Sequence, residues 1–243
     1  LGALGGGRYQ NRIDPAPPGE VDGRGHGIAF GPQVDDLSSP SSCELEPVAQ
    51  NMLTLVRANY EICFSPELNL SERIVFPSSP TETNGIEDAR FVAFQDDDGS
   101  ICYYATYTAF DGHQILPQLI ETADFTQFRV TTLSGRAAHN KGMAIFPRLI
   151  NGKYMALGRH DNVNNFIMSS SDVRMWREAT VIQEPERPWE LTQLGNCGSP
   201  LETDAGWLVI THGVGPFRRY TLGAILLDID DPTRMIGRLT EPL

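Results

Sequence analysis

Residues 84–90 read Asn-Gly-Ile-Glu-Asp-Ala-Arg, two adjacent acids followed by a guanidinium. The run closes a loop rich in Ser, Pro and Thr and opens the apolar stretch Phe91–Phe94. That places Glu87, Asp88 and Arg90 at the mouth of a strand, where β scaffolds carry their chemistry on loops. A carboxylate there is an acid or an anchor according to its surroundings: a fixed cation keeps it charged, and burial lets it hold a proton. Taken alone, such a run is most simply a surface ion pair. The other functional side chains change that reading. Arg57, Lys141, Arg159 and His212 each stand beside an apolar run of strand character. One acid among several cations is poorly suited to a hydrolase working with two carboxylates. It suits a site that grips a small anion beside a sugar.

The elements that must position these residues repeat along the chain. Phe91–Phe94, a turn at Asp96-Asp97-Asp98-Gly99 and Ile101–Thr108 read as one hairpin. Phe146–Ile150, the turn Asn151-Gly152 and Lys153–Gly158 read as a second; Pro200–Thr203, the turn Asp204-Ala205-Gly206 and Trp207–His212 as a third. Asn-Gly and acid-rich Gly turns between apolar runs are strong hairpin signals. Further strands follow at Leu119–Thr122, Phe166–Ser169 and Leu222–Asp228, each leading into a turn with an acid. Units of three or four strands recurring about every 50 residues indicate propeller blades. Met52–Arg57 with Glu61–Phe64 is expected to begin another blade, making about four, and long helical periodicity is not evident. The fold expected is all-β, a β-propeller over residues 46–243, preceded by a loosely structured Gly-, Pro- and Ser-rich segment over 1–45. Inner-strand mouths converge in a propeller, so residues distant in sequence share one pocket.

Composition narrows the partners. The chain has 243 residues with 31 acids against 19 bases, a net charge of −12. No basic run exceeds two residues, which argues against nucleic-acid binding, yet a few converging cations can still hold an anion. No apolar stretch approaches the roughly 18 residues of a membrane span, and Leu1–Gly7 lacks the features of a signal peptide. The chain does not begin with Met and reads as a fragment. Cys43, Cys63, Cys102 and Cys197 show no CxxC spacing; they fit a reducing, cytoplasmic setting better than a zinc site or a disulfide framework.

Several stretches in this order resemble glycoside hydrolase family 130, the mannoside phosphorylases and related mannosidases. They are Leu55–Ala58, Gly85–Arg90, Tyr104–Thr108, Asn140–Gly142 with Phe146-Pro147, Asn151–Arg159, Trp207–Gly213 and Tyr220–Ala224. The resemblance runs from about Met52 to Leu243 and implies a five-bladed β-propeller whose pattern continues past Leu243 into a last blade. It implies inverting phosphorolysis of β-mannosides, giving α-mannose 1-phosphate, with inorganic phosphate as co-substrate and no cofactor or metal. Asp88 matches the general acid, whose proton is thought to pass through a mannose hydroxyl. Lys141, Arg159, His212 and Tyr220 match the phosphate contacts; Arg57, Glu87, Arg90, Tyr107 and Asp111 are assigned to the substrate. The chain departs from the common pattern at Ala89, at Lys141, where Arg is usual, and at Gly142, where an acid is usual. The alternatives are a hydrolytic β-mannosidase on the same fold and a non-catalytic carbohydrate-binding propeller. Trp176, Trp189 and Trp207 are expected to pack between sheets.

Overall fold

The computed structural model describes residues 45–243, with side chains from 48 onward; the expectation of a loose segment over 1–45 falls almost wholly outside them. Among the described residues one α-helix, α1 (Leu45–Arg57), precedes fourteen strands. The first sheet takes β1 (Tyr60–Cys63), β2 (Ile86–Gln95), β3 (Ile101–Phe110), β4 (Ile115–Thr122) and β5 (Gln127–Thr132) in the order β1-β5-β4-β3-β2. The second is a plain meander of β6 (Ala144–Ile145), β7 (Tyr154–Gly158), β8 (Asn165–Ser170) and β9 (Ala179–Gln183). The third takes β10 (Gln193–Asn196), β11 (Leu201–Thr203), β12 (Gly206–Val214), β13 (Tyr220–Leu227) and β14 (Met235–Arg238), with β10 and β11 both pairing β12. All pairings between these strands are antiparallel.

Strand alternation builds the core. On β3, Tyr104 faces a cluster shared with the second sheet, while Ala105 and Tyr107 face a cluster on the opposite side. On β7, Ala156 joins the cluster shared with the first sheet, and Met155 and Leu157 join the one shared with the third. Covered on both faces, the second sheet is apolar in consecutive residues, as expected of a central layer. Trp207 and Trp176 are fully buried. Phe146 meets Trp207 edge-on at 5.1 Å, and Arg148 lies 4.9 Å over the Trp207 ring while pairing with Glu202. These contacts fix the second sheet against the third.

Three sheets form where about four blades are expected. Met52–Arg57 is helical, and Tyr60–Cys63 adds to the edge of the first sheet beside β5 instead of starting a sheet of its own. Val48, Met52, Leu55 and Val56 fall at helical spacing, and all four are exposed. The window 52–57 alone is too short to separate that period from alternation. Among the described residues the three sheets do not close a ring, and no helix is long and apolar enough to cross a membrane.

Candidate active site

The strand carrying the two acids is broken where they lie. In the β2–β3 ladder Glu87 pairs with Thr108 and Arg90 with Thr106, so Asp88 and Ala89 together oppose the single residue Tyr107. Asp88 takes a left-handed conformation, φ 60°. Asp is among the few L-residues that tolerate it, and a bulge of this kind re-aims the side chains of its strand. Asp88 is exposed. Burial lowers the pKa of Arg90; the Asp88 charge acts against that and the Arg159 charge with it, so both groups stand close to this guanidinium.

The second sheet contributes the turn before β6 and the end of β7. Lys141 lies between two left-handed residues, Asn140 (φ 65°) and Gly142 (φ 83°). Its ammonium is ion-paired with Glu87, which gives Glu87 a neighbour to orient. A Cβ at position 142 would sit 3.1 Å from Arg90 Nη1 and 3.7 Å from the Arg159 Cβ. The backbone angle favours glycine here, and a Cβ would press on the Arg90 guanidinium while only touching Arg159. Arg159 directly follows β7, and its Nε is buried with no acceptor among the described residues.

The third sheet contributes β10 and β12. His212 pairs with Gly195, and its imidazole lies across that glycine: a Cβ there would fall 2.5 Å from His212 Cε1. Cys197 Sγ lies 3.6 Å from His212 Nδ1, and the Tyr220 ring centroid lies 5.7 Å from that of His212. Burial lowers the His212 pKa, Arg159 and Arg90 lower it further, and Asp88 opposes them. Neutral at pH 7, the imidazole acts here as a directional hydrogen-bonding group, and the positive charge is carried by the arginines. Unfolding frees His212 to bind a proton that the folded protein resists. Its contribution to stability is thus complete above pH 6.5 and declines as pH falls from there through the lowered folded value. The expected result is a stability advantage of the parent protein over His212→Gln that shrinks below pH 6.5 in paired denaturation curves. An advantage that grows on acidification would show the imidazole held as a cation.

Asp88, Arg90, Lys141, Arg159, His212 and Tyr220 thus gather from all three sheets. Two expected substrate residues are placed otherwise, and a third, Tyr107, lines a small cavity with Asp88, Arg90 and Gly142 while its hydroxyl serves a buried carboxylate. Arg57 ends α1 and is exposed. Asp111 accepts from the backbone N–H groups of His113 and Gln114 and shapes the β3–β4 turn. Tyr107 is buried, and its hydroxyl donates to Glu82 at 2.5 Å. Glu82, fully buried, also accepts from the Tyr60 hydroxyl and from the N–H groups of Ser78 and Ser79. Burial pushes both tyrosine hydroxyls well above their usual pKa, so each keeps its proton and donates. Tyr107→Phe is therefore expected to lower stability by about 1–3 kcal/mol, the cost of removing a donor from a buried carboxylate. Sugar affinity should be unchanged; a loss of affinity at constant stability would place Tyr107 on the ligand.

Sequence reasoning missed Gly195, Asn196 and Cys197. Small and uncharged residues in a turn-like run, they carried no signal beyond the Gly-x-x-Gly spacing of Gly195 and Gly198. Asn196 is buried at 1 % exposure. Its Nδ2 donates to the Gly142 carbonyl at 2.7 Å, and its own carbonyl accepts from Arg90 Nη2 at 3.2 Å. Beyond Tyr220 a groove of 690 Å³ opens along Trp189, Phe217 and Leu222.

The family model for beta-1,4-mannooligosaccharide phosphorylases matches residues 53–243. The beta-1,2-mannobiose phosphorylase of Listeria innocua is 33 % identical over 70 % of this chain and 48 % of its own length. The 1,2-beta-oligomannan phosphorylase of a Thermoanaerobacter species is 31 % identical over 72 % of this chain and 58 % of its own. The chain therefore spans about half the length of the curated relatives it matches. Among solved structures, the Listeria innocua enzyme in complex with beta-1,2-mannobiose superposes with a TM-score of 0.61 at 32 % identity, covering 70 % of this chain and 48 % of that one.

Proposed function

The chain belongs to glycoside hydrolase family 130, and from that premise we propose that it takes part in the inverting phosphorolysis of β-mannosides. The observation that carries this reading is the convergence of cations from different sheets near Asp88: Arg90 lines a small cavity with Asp88, Arg159 faces Arg90 across Gly142, and both arginines and Asp88 act on the charge of His212. A water-using enzyme of this type needs a second carboxylate as base, and the other acid at this site, Glu87, is ion-paired with Lys141. Phosphate brings its own nucleophilic oxygen and needs cations to hold it in line and screen it from the acid. The Arg159 guanidinium, whose Nε has no acceptor among the described residues, offers such a donor.

In this mechanism a phosphate oxygen attacks the anomeric carbon from the face opposite the leaving group. The new C–O bond forms as the glycosidic C–O bond breaks, and the departing oxygen takes the proton that Asp88 supplies by way of a mannose hydroxyl. The products are α-mannose 1-phosphate and the shortened acceptor. Arg159 acts as a forked donor, Lys141 as a point charge released from Glu87, and His212 and Tyr220 as directional hydrogen-bonding groups. Arg90 and Glu87 border the sugar. Both curated relatives described above are named for β-1,2 linkages, so a β-1,2-linked mannoside is the substrate proposed, with β-1,4-linked mannobiose as the comparison. The three sheets are read as blades of a five-bladed β-propeller, residues 46–243 as its catalytic part. The free thiols of Cys63, Cys102 and Cys197 suit a cytoplasmic setting.

The test is incubation with β-1,2-mannobiose with and without inorganic phosphate. Mannose 1-phosphate appearing only with phosphate is the expected result. Free mannose released without phosphate would establish a hydrolase, and binding without turnover a carbohydrate-binding protein.

A further inference from the structure

Asn196 is the one described residue seen to hydrogen-bond to both of the other sheets' contributions to this site. It sits at the end of β10 in the third sheet, grips the Gly142 carbonyl through its side chain, and receives Arg90 of the first sheet on its backbone carbonyl. The amide orientation follows from its partner: turned over, Oδ1 would face the Gly142 oxygen, acceptor against acceptor. The side chain satisfies the turn while its own buried Oδ1 has no donor among the described residues. What it holds is narrow. The turn is flanked by left-handed residues on either side of Lys141, and Gly142 lies directly against the Arg90 guanidinium and the Arg159 side chain. The bonded Gly142 carbonyl belongs to the residue that follows Lys141 and lies beside both arginines.

We propose that Asn196 is a positioning residue for the anion site, setting the turn that carries Lys141 against Arg159 through its bond to Gly142. It acts on the affinity for phosphate without touching the sugar. The inference rests on the phosphorolytic reading. The test is Asn196→Leu, which keeps volume, adds no charge and removes the donor; Asn196→Ala serves if the leucine variant fails to fold. Phosphate and β-1,2-mannobiose are varied independently in steady-state assays, and phosphate binding is measured by calorimetry without sugar. The expected result is a phosphate KM and Kd raised about tenfold, of the order of one lost hydrogen bond, with the mannobiose KM within about twofold and kcat at saturating phosphate nearly retained. A folded variant with unchanged phosphate KM and Kd overturns the proposal, as does a parallel rise in both KM values with a lowered melting temperature, which marks a structural role alone. A parent protein that binds no phosphate would remove the phosphorolytic reading and this one with it. A parent that turns over normally beside an unaffected variant would remove only this one.

Discussion

Asp88→Asn is expected to abolish phosphorolysis while leaving the fold and phosphate binding intact. Loss of a general acid costs about 10²–10⁴-fold in rate, and the effect should fall on kcat. Asn is the right substitution because position 88 is left-handed, φ 60°, and Asn tolerates that region as Asp does; Ala would add backbone strain to the loss of the acid. Asp88 is exposed. Its charge opposes the lowering of the pKa values of Arg90 and His212. Removing it also removes its repulsion of an incoming anion. Phosphate binding should therefore be unchanged or tighter as turnover collapses. Should Asp88 be an anchor for the cations instead, the same variant would lose phosphate affinity and melting temperature together.

Arg159→Ala is expected to raise the phosphate requirement by about 10–10²-fold, in line with the roughly 1.5–3 kcal/mol of a hydrogen bond to a charged group. Its effect on stability should be small or favourable. The Arg159 Nε is buried without an acceptor among the described residues, and the Arg159 charge adds to the burial that lowers the pKa of Arg90. A guanidinium whose Nε lacks an acceptor among the described residues and which a neighbouring cation repels serves the fold poorly, the usual relation between a binding site and stability. Phosphate titrations of the parent and variant, with melting curves in parallel, check both halves. A destabilised variant with normal phosphate dependence would reassign Arg159 to the scaffold.

Much of this arrangement was legible from residue order because hairpins announce themselves locally. The turns at Asp96–Gly99, Asn151-Gly152 and Asp204–Gly206 each join paired runs, as β2–β3, across the Ile150–Lys153 bridge into β7, and β11–β12. Lys141 and Arg159 came together because they flank β6 and β7, which the same turns locate. Less local features were not legible. Whether Tyr60–Cys63 starts a sheet or extends one depends on its partner, Gln127–Val130, more than sixty residues away. The Tyr107 hydroxyl turns to Glu82 because β3 alternation points it into the far cluster, and nothing at position 107 alone reveals that face. Asn196 is known only by what it touches, Gly142 and Arg90, each contributed by a different sheet.

The arrangement of cations around one proton donor is tested most directly by a crystal structure of the protein with bound inorganic phosphate. The account predicts phosphate oxygens within hydrogen-bonding distance of Arg159 and His212, with the Lys141 ammonium turned from Glu87 toward the anion and Asp88 across the gap that a mannose ring would fill. Phosphate bound away from these residues, or a site that stays empty at saturating phosphate with the Lys141–Glu87 pair intact, would contradict it.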